Sequence, residues 1–80
     1  MTTTQLIKHY SMAQVDELLR QGRITDDQHA DFEAAWEWSN VRMGGQAGRR
    51  QDAYYNAHGR EAYHAKINET RAALGLQPLF

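Results

Sequence analysis

The chain has 80 residues, of which 41% are hydrophobic, 24% charged and 10% aromatic, with six Gly, one Pro and no Cys. Without Cys there is no disulfide framework, no thiolate zinc site and no thiol nucleophile, and no apolar run nears the roughly 18 residues that read as a membrane span. Residues 1–5 lack the basic-then-apolar order of a signal peptide, so the expected setting is a single cytoplasmic domain, 1–80, without membrane contact. A domain this small buries only about 60–65% of its unfolded surface, which invites added stability from a partner or from self-association.

The formal net charge is −1, but it is unevenly spread. Up to Ser39 there are three basic side chains against seven acidic ones; beyond it there are six basic against three acidic. Attraction between two helical layers accounts for such a split. A basic face for an anionic partner is the other reading, although nucleic-acid modules usually carry a stronger positive excess.

Residues 1–10 form an arm of undefined type. The run Thr2-Thr3-Thr4 favours extended backbone, and Leu6 and Ile7 can start a short helix or tuck into a core. The first clear helix begins at Ser11. Ser11 and Gln14 have capping-box spacing, with Tyr10 and Val15 as a hydrophobic staple. Met12, Val15, Leu18 and Leu19 repeat on one face, and Gly22 suits the C-cap. A second capping box, Thr25 with Gln28, opens the next helix behind Ile24, and Asp26 and Asp27 favour its positive end. Phe32, Ala35, Trp36, Ser39 and Met43 continue at helical spacing, which predicts a helix up to about Met43 and an antiparallel helical hairpin over 11–43.

Residues 44–48, Gly-Gly-Gln-Ala-Gly, predict a flexible turn. The C-terminal helical region spans 49–75, rich in Ala, with Tyr63, Ile67, Thr70 and Leu74 as its apolar stripe. Gly59 either kinks it or splits it. Leu74-Gly75-Leu76 fits a Schellman end and Pro78 blocks continuation, leaving an apolar tail, 76–80. The expected fold is all-α: a hairpin with a long or broken third helix, a small three- to four-helix bundle.

Residues 15–35, with Leu18-Leu19-Arg20-Gln21-Gly22-Arg23-Ile24-Thr25-Asp26-Asp27-Gln28 and then Phe32, resemble the helix–Gly-x-Ile-Thr–helix hairpin of short C-terminal SHOCT-type domains. The resemblance covers about a quarter of the chain, includes no catalytic residue and implies an interaction module. Gly44-Gly45-Gln46 with Arg49-Arg50 resembles the Gly-Gly-Gln loop of peptide-chain release factors. That family sets its tripeptide in a larger mixed domain, so the segment is read here as a turn. It lacks the Gly-Lys-Ser/Thr of a phosphate-binding Walker loop.

Arg42, Arg49, Arg50, Tyr54, Tyr55, His58, Arg60, Tyr63 and His64 interleave cations with aromatics. Such a surface suits protein hot spots or stacking on single-stranded nucleic acid. Tyr54 and Tyr55 lie about 100° apart on a helix, and Trp36 and Trp38 about 200° apart, so one member of each pair faces away from a shared core. The candidate partner-binding residues are therefore Trp38, Arg42, Arg49, Arg50, Tyr54, Tyr55 and Arg60. No pair among His9, His29, His58 and His64 has i, i+4 spacing, and no Ser/His/Asp set converges, so neither a metal, a cofactor nor catalysis is expected. The functional expectation is a small non-enzymatic regulator, adaptor or inhibitor that binds a protein, in the style of short bacterial or phage chains. The alternative is a nucleic-acid-binding regulator using the basic half.

Overall fold

The computed structural model describes residues 1–80 and is all-helical, with five helices, 72% of residues in helix and no strand. No helix is long and apolar enough to cross a membrane. The chain divides into two units, residues 1–36 and 37–80.

In the first unit the N-terminal arm is a helix, α1 (Thr3–His9). A third capping box overrides the extended preference of the threonines. The Gln5 backbone N–H donates to Thr2 Oγ1 at 3.2 Å, and the Thr2 N–H donates to Gln5 Oε1 at 2.8 Å. Seven residues are too few to hold a helix alone; complete burial of Leu6 supplies the tertiary anchor. The segment α2 (Met12–Arg20) carries the Ser11/Gln14 box. It ends in a Schellman motif: Gly22 N–H donates to Leu19 O at 3.0 Å and Arg23 N–H to Leu18 O at 2.9 Å. Then α3 (Asp26–Ser39) starts behind the Thr25/Gln28 box. Leu6, Val15, Leu18, Ile24 and Phe32 form the core, with Tyr10, Met12, Leu19 and Trp36 packed against it.

The second unit corrects two expectations. Helix α3 stops at Ser39, not near Met43. Its last carbonyls are taken by side chains, which satisfies the terminal acceptors that a further turn would otherwise have met. The Gln51 amide donates to Glu37 O at 2.6 Å and to Asn40 O at 2.9 Å, and Arg71 Nη1 donates to Ser39 O at 2.8 Å. Arg42 then turns the chain with φ +58°. The glycine-rich stretch 44–48 is also not a free turn. Gly44 is the N-cap of α4 (Gly45–His58), and the other four residues are its opening turn. Gly48 permits a close approach there: a Cβ at this position would lie 2.1 Å from the Met43 carbonyl oxygen.

The C-terminal helical region is broken, as one of the two expected forms. Gly59, at φ +91° and ψ 170°, separates α4 from α5 (Arg60–Ala73). That left-handed φ is open to glycine and strained for side-chain-bearing residues. α4 packs on α5, with Ile67 and Leu74 buried. A second Schellman motif ends α5: Gly75 N–H donates to Ala72 O at 3.0 Å and Leu76 N–H to Arg71 O at 2.8 Å. The tail folds back. Asn68 Oδ1 accepts from Leu79 N–H at 3.0 Å and Phe80 N–H at 3.2 Å, its Nδ2 donates to Phe80 O at 3.0 Å, and the Phe80 ring stacks on His64 at 3.7 Å.

Candidate functional site

A cavity of about 360 Å³ opens on the second unit. Its aromatic wall is Tyr55 from α4, Tyr63 from α5 and Phe80 from the tail. Val41 and Met43 add apolar surface, Gly48 and Gln51 contribute from α4, and Arg42 and Asp52 place opposite charges on the lining. The volume falls within the range of small-ligand and side-chain pockets, about 300–1,000 Å³.

The local backbone explains how these groups meet. Because α3 ends at Ser39, the connection can carry Val41, Arg42 and Met43 to the cavity. Arg42 holds a left-handed φ, which costs a non-glycine residue on the order of 1 kcal/mol. Gln51 is buried at 3% exposure and organises the floor. Besides its two carbonyl acceptors, it receives the Tyr63 hydroxyl proton at Oε1, 3.2 Å away. No buried side-chain nitrogen or oxygen lacks a partner. Tyr55 meets Tyr63 edge-on at 5.7 Å while remaining 43% exposed, and Phe80 is 52% exposed.

Burial raises the Tyr63 hydroxyl above the ordinary value of 10.0, and the Asp52 carboxylate adds to the rise. The folded state therefore keeps its proton where the unfolded chain has lost it. The associated stability is fully present below pH 10 and is lost as pH rises through the folded-state value. Stability measured by urea unfolding should fall as pH rises past the ordinary tyrosine value of 10.0. Tyr63→Phe should flatten that part of the profile, beside a constant loss of about 1 kcal/mol for the hydroxyl's hydrogen bond. An unchanged alkaline slope in Tyr63→Phe would count against this origin.

The residues singled out from sequence divide into three groups. Arg42 and Tyr55 line the cavity. Trp38, Tyr54 and Arg50 are engaged within the unit. Trp38 and Tyr54 meet edge-to-face at 5.4 Å, Tyr54 lies 4.4 Å from His58, and Lys66 Nζ sits 4.5 Å above Trp38 and 5.0 Å above Tyr54. Arg50 Nε donates to both oxygens of buried Glu37, at 3.0 and 3.1 Å. Arg49 and Arg60 are exposed, outside the cavity lining.

Sequence reasoning missed Val41, Met43, Gln51, Asp52 and Phe80 as lining residues. Gln51 carries no periodic or motif signal, because its role depends on carbonyls 11 and 14 positions earlier. Comparison with protein-family models, with curated proteins and with solved structures finds no match to this chain.

Proposed function

We propose that this chain is a small non-enzymatic binding protein, acting as a regulator, adaptor or inhibitor of another protein in the cytoplasm. The observation that carries the reading is the open cavity with Tyr55 and Phe80 exposed at its edge. Rigid aromatics beside a concavity are the usual anchors of protein interfaces. The strained backbone of Arg42 supports it, since such conformations cluster at ligand-contacting segments. The polar groups of the floor, Gln51 and Tyr63, are bonded to each other and to backbone, an arrangement suited to shaping a surface more than to moving protons.

The cation pattern favours a protein partner over nucleic acid. Of the six basic residues beyond Ser39, Arg50 pairs with Glu37, Lys66 covers two aromatic rings, and Arg71 is bonded to backbone carbonyls. Half of these six basic side chains thus have internal work. The capped segment 15–35, read as an antiparallel hairpin, fits the interaction-module role that its SHOCT-like pattern implies.

Tyr55→Ala tests the proposal. Capture from nuclease-treated and untreated lysate identifies the partner, and its affinity for both chains is then measured. The substitution should weaken binding by at least tenfold, about 1.4 kcal/mol or more. The thermal midpoint should stay within a few degrees, because the side chain is substantially exposed. Native affinity in Tyr55→Ala would mean the cavity is not the interface. Capture lost on nuclease treatment, with affinity falling steeply in salt, would favour the nucleic-acid reading.

A further inference from the structure

We propose that Asp16, His29 and Glu33 in the first unit form a binding site for a divalent transition metal of the Zn²⁺ class. The site is separate from the cavity and does not depend on the function proposed for it. The sequence places His29 near Asp26 and Glu33, without a reason to expect a ligand set. The structure replaces Asp26 with Asp16, which comes from α2, 13 positions earlier.

The geometry around the imidazole points to a cation. His29 is largely shielded, at 16% side-chain exposure, and lies between two half-exposed carboxylates. Its Nε2 is 2.7 Å from Asp16 Oδ1, and its Nδ1 is 3.5 Å from Glu33 Oε1 one turn along α3. An ionised carboxylate only accepts hydrogen bonds. The 2.7 Å contact therefore places an N–H at Nε2, which leaves Nδ1 as the ring atom that faces Glu33.

At 3.5 Å the Nδ1–Glu33 separation is long for a hydrogen bond. It is close to the edge of a tetrahedral metal site, where two ligands at about 2.0–2.1 Å from the ion lie about 3.4 Å apart. One nitrogen or oxygen from each of the three side chains lies within 4.8 Å of the others. His29 Nδ1 and Glu33 are the ligands, and water completes the coordination on the open side. Asp16 is a positioning residue: it holds the ring through Nε2–H, as carboxylates behind metal-bound histidines do. The nitrogen donor selects Zn²⁺ over Mg²⁺ or Ca²⁺. The unit's three basic side chains against six acidic ones favour a cation.

The test titrates the full chain with ZnCl₂, and separately with MgCl₂, by calorimetry, and follows the His29 ring nitrogens by NMR. One equivalent of Zn²⁺ should bind, shifting the His29 Nδ1 resonance and raising the thermal midpoint. Glu33→Gln and His29→Gln should each lower affinity at least tenfold. Asp16→Asn should weaken it by about 10–100-fold. His9→Gln and His58→Gln should leave it unchanged. Circular dichroism of each metal-free variant verifies that it is folded before titration. Absence of Zn²⁺ binding, equal binding of Mg²⁺, native affinity in folded Glu33→Gln, or loss of binding in His58→Gln would each overturn the site.

Discussion

Replacing Gly48 by Ala should destabilise the chain by about 3 kcal/mol, the upper end of the cost of forcing an extra carbon into a filled space. Within helices such a replacement usually stabilises, by about 0.4–1 kcal/mol, because alanine has less backbone freedom to lose. Here the sign reverses. The added Cβ would stand 2.1 Å from the Met43 carbonyl oxygen and 3.0 Å from its carbon. Both atoms are backbone, so no side chain can rotate away. Relief requires moving residues 43–48, which also carries Met43 out of the cavity lining. For a chain of this length the loss corresponds to a fall of roughly 15 °C in thermal midpoint, measurable by circular dichroism at 222 nm. A neutral or stabilising Gly48→Ala would show that the Met43 carbonyl does not lie over this glycine.

Gln51→Leu should cost a similar amount, about 3 kcal/mol. Leucine is comparable in size, so the packing change is modest and the loss is mainly polar. Gln51 Nε2 serves Glu37 O and Asn40 O, and Oε1 serves the Tyr63 hydroxyl. Leucine leaves two carbonyls at the end of α3 without that donor, and a buried group deprived of its partner costs about 1–3 kcal/mol. The hydroxyl of Tyr63, at the cavity wall, can still turn toward water and adds little. Guanidinium unfolding would register the effect as a lower midpoint with an unchanged slope. A loss below 1 kcal/mol would indicate that water reaches those carbonyls in the native protein.

Both effects sit where sequence patterns lose their grip. The helix starts at Ser11 and Thr25, and the ends at Gly22 and Gly75, were legible because capping depends on residues three to six positions apart. The apolar faces of α2 and α3 were legible from their period. The start of α1 carried the same Ser/Thr-x-x-Gln spacing in Thr2 and Gln5, but it was masked by three consecutive threonines. The end of α3 was not legible. Met43 keeps the helical spacing, and only the side chains of Gln51 and Arg71, reaching back 11 to 32 positions, explain why the helix stops at Ser39. Three glycines within 44–48 suggest backbone freedom, whereas Gly48 marks a steric requirement set by a neighbouring carbonyl.

The candidate site was legible to a similar depth. Helical angles required one tyrosine of the 54/55 pair to face outward, and Tyr55 does so while Tyr54 joins the cluster around Trp38. Which arginines remain available could not be read from composition. That distinction depends on Glu37, a buried carboxylate that draws Arg50 to itself. Arg42 and Tyr55 are the two sequence candidates that reach the cavity.

The two tryptophans offer an optical route into the molecule. Trp36 lies 5.6 Å from Phe32 against the core of residues 1–36, whereas Trp38 sits beneath the Lys66 ammonium and beside Tyr54. Two indoles separated by one residue thus occupy different units and experience different electric fields. Trp36→Phe and Trp38→Phe variants each retain a single emitter tied to one cluster. Their denaturation curves, overlaid, would reveal whether residues 1–36 and 37–80 melt as one cooperative body or in succession.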